Sequence, residues 1–131
     1  MKKIFFLLAM ASFQIFALAG CGNTTEKVFK VNELVDKVTV DKDGWKGREV
    51  TVSGYVMHTS GSGGANGYVL NMKDQRNDES ERYVVCKVPQ GDLPEGIAAK
   101  TIEVKGKIGS VTMQNYLNLK SVMLDSCELK K

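Results

Sequence analysis

The sequence predicts a mainly β protein, a small closed barrel of five strands with one short helix ahead of it, and three observations carry that expectation. Beyond Trp45, apolar residues alternate with polar ones at period two, the mark of half-buried strands. Two of these runs place a glycine among the inward positions: Gly54 after Val50 and Val52, and Gly106 after Ile102 and Val104. A strand that curls tightly enough to close a barrel needs such kinks. Lastly, Pro89, Gly91, Pro94 and Gly96 exclude a long helix from the widest gap between runs, leaving room only for a single turn at Ile97-Ala98-Ala99.

In chain order, residues 1–20 read as a leader. Lys2 and Lys3 precede an apolar run from Ile4 to Ala19, shorter than the roughly 20 residues a spanning helix needs and interrupted by Ser12 and Gln14. It ends Leu18-Ala19-Gly20-Cys21, which resembles the lipobox of bacterial lipoproteins, so Cys21 is the expected acylation site. Two or three acyl chains, at about 0.8 kcal/mol per buried methylene, hold a protein on a membrane almost permanently. Residues 21–28 form the lipidated start and tether, whose six residues before Val28 reach roughly 20 Å when extended. No aspartate follows Cys21, which favours the periplasmic face of an outer membrane where one exists, and otherwise the outer face of the plasma membrane.

Residues 29–44 hold a short helix and turn, with Asn32 near the helix start, Leu34 and Val35 facing inward, and Asp41-Lys42-Asp43-Gly44 as the turn. The barrel domain occupies residues 45–131. Its strands begin near Arg48 and continue through Val56, then run from Tyr68 to Lys73, from Arg82 to Val88, from Ile102 to Ile108, and from about Tyr116 through Leu124 to Cys127. The Gly/Ser-rich stretch 60–67 reads as a mobile rim, and the charged stretch 74–81 as a solvent-facing hairpin end.

Five strands with the longest interruption after the third match an oligonucleotide/oligosaccharide-binding (OB) barrel. More narrowly, the chain from Trp45 to Leu129 resembles the tRNA-anti-like family of OB-fold proteins, many of them lipoproteins. The likeness lies in Val50-Thr51-Val52-Ser53-Gly54-Tyr55-Val56, Val84-Val85-Cys86-Lys87-Val88, Ile102-Glu103-Val104-Lys105-Gly106 and Leu124-Asp125-Ser126-Cys127. It implies a fold and no tRNA activity, since function is not read from fold. It also implies that the third and fifth strands are neighbours, which brings Cys86 within reach of Cys127.

Of three cysteines, Cys21 is taken by the lipid, and Cys86 and Cys127 remain as an even pair in an oxidising compartment. A disulfide between them is expected, worth about 4 kcal/mol in the chain-entropy model, with two buried free thiols as the alternative. Without residues 1–20 the chain carries 16 basic and 15 acidic side chains, a balance that gives no electrostatic reason for nucleic-acid binding.

Catalytic and metal motifs are weak. His58 is the sole histidine, and no spacing supplies an orienting carboxylate for it, so no catalytic residue and no metal site are expected. The Asp41 loop lacks the glycine and glutamate of an EF-hand, those places holding Lys46 and Val52, and Asn66 stands where a phosphate loop needs its third glycine. No cofactor is implied. With Val50, Val52, Val56, Leu70, Met72, Val84, Cys86 and Val88 inside, Tyr55, Met57, Asn71, Lys73, Tyr83, Val85 and Lys87 point outward together. Aromatic rings beside amides and ammonium groups suit a binding face, with rims at His58 to Asn66 and Gly109 to Asn115. The expected function is therefore a lipid-anchored, non-enzymatic binding module for an envelope protein or glycan. A structural or assembly role is its rival, and nucleic acid is the least expected partner.

Overall fold

The structure, a computed structural model, describes residues 27–130. The expected leader, Cys21 and the first part of the tether lie outside the described residues. The elements are β1 (Val28–Lys30), α1 (Val31–Val40), α2 (Lys42–Trp45), β2 (Glu49–Ser60), β3 (Tyr68–Lys73), β4 (Arg82–Val88), β5 (Thr101–Gln114) and β6 (Leu119–Leu129). Strands β2 to β6 close a ring in the order β2-β3-β4-β6-β5, with β5 returning to β2. Within that ring only β4 and β6 pair in parallel. This is a small OB-like barrel, built by the five strands that the alternation announces.

Two differences appear at the start of the chain. Phe29 and Lys30 belong to β1, which pairs in parallel with Thr51–Ser53 of β2 and was not expected. Phe29 sets its ring edge against Trp45, centroids 5.8 Å apart, and that packing favours extended over helical backbone there. The helix accordingly begins at Val31 and runs on to Val40. Its Val31, Leu34, Val35 and Val38 repeat at helical spacing and are fully buried among the barrel's own core residues. Each such side chain contributes about 1.5–3 kcal/mol by leaving water, so α1 closes the barrel interior and is part of one core.

The two glycines do what their spacing announces. Gly54 lies where β2 passes from pairing with β5 to pairing with β3, and a Cβ there would stand 2.6 Å from a Val31 methyl carbon and 2.9 Å from the Lys73 carbonyl oxygen. Gly106 lies at a register shift between β5 and β6, where a Cβ would stand 2.7 Å from Cys127 Sγ. Larger residues at either place would push apart strands that must touch.

The cysteine expectation is half met. β4 and β6 are neighbours, with Cys86 opposite Leu124, and Ser126 takes a left-handed φ of 51° that turns Cys127 into the core. The expected Cys86–Cys127 bond is not formed: both are free, buried thiols. Each sulfur already has a neighbour, Cys86 Sγ lying 3.5 Å from Met72 Sδ and Cys127 Sγ donating to the Leu124 carbonyl at 3.2 Å. Hydrogen bonding with Cys127, followed by burial, raises the Cys86 pKa well above its ordinary value and keeps the thiol protonated.

Both segments read as loose are tied down. In the 60–67 connection, Gly64–Asn66 form a 3₁₀ turn, Gly63 N–H donates to Gly67, and Gly91 N–H donates to the Gly64 carbonyl. The 74–81 hairpin docks on the start of α1: Asp74 Oδ1 accepts from Asn32 N–H at 3.1 Å, supplying the cap that Lys30 does not. Asn32 Nδ2 donates to Asp78 Oδ2 at 2.7 Å, and the Ser80 hydroxyl donates to Asn32 Oδ1 at 3.4 Å. Of the hairpin's four carboxylates, Asp74 and Asp78 are its attachment points, while Glu79 and Glu81 face solvent as expected.

Candidate binding groove

The site starts with a bulge. Val56 pairs with Met72 and His58 with Asn71, so Met57 is an extra residue on β2 opposite one residue on β3. The loop before β5 braces this spot, with Val56 N–H donating to Lys100 and its carbonyl accepting from Ala99, both at 2.9 Å. Because of the bulge, Met57 and His58 both face outward. His58, expected as a rim or loop residue, therefore lies within β2 on the barrel's outer face.

These two residues form one side of a groove of about 370 Å³ across β2, β3, β4 and β6, lined by Met57, His58, Asn71, Lys73, Tyr83, Val85, Leu119 and Ser121. Met57, Val85 and Leu119 supply its apolar surface. Polar groups surround it, and two of them are already held: Lys73 Nζ donates to the Asp78 carbonyl at 2.9 Å and lies 5.0 Å from the Tyr83 ring centroid. The Tyr83 hydroxyl donates to Glu81 Oε2 at 2.8 Å. That bond, followed by burial and the Glu81 charge, raises the Tyr83 pKa and keeps the phenol neutral.

Asn71 is different. Its Oδ1 is buried from water and accepts no hydrogen bond, one of two such side-chain atoms among the described residues. The other, Thr51 Oγ1, lies where β2 is flanked by β1 and β5. An unpaired buried acceptor costs about 1–3 kcal/mol, and turning the Asn71 amide into the groove would let a ligand's N–H or O–H remove that penalty.

Of the seven outward residues expected from sequence, the groove gathers five, Met57, Asn71, Lys73, Tyr83 and Val85, together with His58 of the expected rim. Tyr55 lies in a separate groove with Lys30, Ser53, Arg76 and Thr101. Asn66 and Lys87 line a third, beside Asp125 and Ser126. The reason is curvature: outward residues on a coiled barrel face diverging directions, whereas a flat sheet would keep them together. The Gly109 to Asn115 rim is also revised, since residues through Gln114 continue β5 in its pairing with β6. Leu119 and Ser121 were missed, although their alternation with the buried Val122 and Leu124 marks them as outward, and Ser121 pairs with Tyr83. Among the described residues, no cluster of three or more His, Cys, Asp or Glu side chains is placed to hold a metal ion.

Comparison with known proteins reaches only the fold. No family model and no curated protein matches the chain. A crystal structure from Klebsiella pneumoniae subsp. pneumoniae MGH 78578, of a protein provisionally named a nucleic acid-binding lipoprotein, aligns at TM-score 0.57 with 16% identity, covering 81% of this chain and 92% of that one. A protein of Leishmania major Friedlin, provisionally named an aspartyl-tRNA synthetase, aligns at TM-score 0.46 with 14% identity over 81% of this chain and 21% of its own. What the Klebsiella structure shares with this chain is the fold. The tRNA-anti-like resemblance extends to an OB-like fold and not to a matched family.

Proposed function

We propose that the protein is a lipid-anchored, non-enzymatic binding module of the bacterial cell envelope, and that it holds an envelope protein or glycan in the Asn71 groove. The observation that carries this reading is the unpaired Asn71 Oδ1 beside an apolar surface and an aromatic ring. A fold seldom leaves a buried acceptor unmet, and beside an open groove a partner outside the chain is one source of the donor. Sugars and polypeptides both present N–H or O–H donors together with apolar patches, and either suits a groove of about 370 Å³. The anchor follows from the Cys21 lipobox, and the lipoprotein name of the Klebsiella structure is in keeping with it.

Nucleic acid is the second reading, favoured by the other half of that name and by Tyr83, whose ring can stack on a base. The near-neutral mature charge weighs against it. A photo-crosslinking residue in place of Val85, with one in place of Lys107 as control, tests the proposal in intact envelopes. A discrete adduct from position 85 alone supports the groove, and equal or absent adducts from both positions count against it. Titration with labelled single-stranded oligonucleotide separates the readings, because phosphate-driven binding is strongest at low salt and weakens steeply as salt rises.

A further inference from the structure

The end of the barrel that receives the tether carries an exposed apolar tip. β1 runs parallel to β2, with Val28 opposite Thr51, so the chain from the N-terminal side arrives at the end where β2 begins. β5 runs antiparallel to β2 and continues for seven residues past the Lys107–Glu49 pair, so its hairpin with β6 overhangs that same end. At the hairpin's turn, Asn115–Leu117 form a 3₁₀ turn and Asn118 takes a left-handed φ of 52°. Tyr116 is 84% exposed, Leu117 53% and Met113 40%. The base of the hairpin is fixed, with Lys120 N–H donating to the Glu81 carbonyl at 2.8 Å.

We infer that this tip is a second membrane contact: Met113, Tyr116 and Leu117 seat in the bilayer interface and orient the barrel on its anchor. The inference rests on acylation of Cys21, because the tether decides what the tip can reach. From Cys21 to Val28 the chain spans at most roughly 25 Å, which holds the overhanging end within that distance of the bilayer. Tyrosine suits the headgroup level, with an apolar ring and a wet hydroxyl, while leucine and methionine reach the acyl chains. Three side chains at one tip are too few to bind a membrane alone, but beside a lipid anchor they act at high effective concentration. The Gly64–Asn66 turn follows the far end of β2 and would face away from the lipid.

The test uses the mature acylated protein in phosphatidylethanolamine/phosphatidylglycerol vesicles with brominated acyl chains. An environment-sensitive fluorophore is placed on Leu117→Cys or, as control, on Ala65→Cys; burial of Cys86 and Cys127 directs labelling to the new thiol. Several-fold stronger quenching and a blue-shifted emission at position 117 relative to 65 is the expected result. Co-flotation with equal, water-like emission at both positions overturns the tip contact and leaves the anchor standing. Failure to co-float, with no acyl mass on the processed chain, removes the anchor and the tip contact with it.

Discussion

Two polar regions sit a few residues apart on this barrel, and they differ in whether the chain satisfies its own hydrogen bonds. At the seat of the 74–81 hairpin, Asn32, Asp74, Asp78 and Ser80 partner one another and the first turn of α1. In the groove, Asn71 keeps a buried acceptor without a partner. Lys73 joins the two, bonding to Asp78 on one side and lying by Tyr83 on the other. Similar residue types therefore serve opposite ends. A closed network fixes the fold, and an open one is available to something outside it.

The largest expected effect comes from breaking the closed network. Asn32→Ala removes two side-chain hydrogen bonds and leaves the Asp78 carboxylate short of a donor, which should lower stability by about 2–3 kcal/mol in urea unfolding. Crosslinking from position 85, measured per folded molecule, should be unchanged. A milder disturbance is acid. The Ser80 side chain first, then Asn32, the Ser80 backbone N–H and the Lys73 charge lower the Asp78 pKa below its ordinary value against opposing desolvation. A carboxylate lowered in the folded state adds stability above its unfolded pKa and loses it as pH falls through the folded one. Stability should thus drop more steeply below the ordinary carboxylate range in the wild type than in Asp78→Asn, as followed by thermal unfolding across acid pH. The smallest effect is a control on orphaned acceptors. Thr51→Val removes the other unpaired buried oxygen and should raise stability by up to about 1 kcal/mol, with no change in crosslinking from the groove.

The same division explains what the sequence made legible. Local alternation revealed the strands, and the glycines at 54 and 106 revealed the barrel's bends, because both are decided by short-range sterics. The adjacency of Cys86 and Cys127 came from the resemblance to OB-fold proteins, whereas their chemical state did not: free thiols packed against Met72 Sδ and a carbonyl are a matter of core detail. β1 has three residues and depends on pairing with β2, twenty-three positions away, so no local pattern declares it. Charge misled at Asp74 and Asp78, where a run that reads as solvated is a docking contact. In the groove, one extra residue at Met57 moved His58 from rim to face, while barrel curvature carried Tyr55, Asn66 and Lys87 elsewhere. Alternation can say which side chains point outward, but not which of them meet.

The most direct measurement replaces Asn71 with leucine and reads stability and partner capture in the same protein. If Oδ1 is reserved for a ligand, Asn71→Leu leaves unfolding free energy unchanged or raises it by about 1 kcal/mol, and the adduct from position 85 falls at least severalfold. A loss of about 2 kcal/mol with capture intact would make Asn71 a structural residue and empty the groove of its assigned purpose.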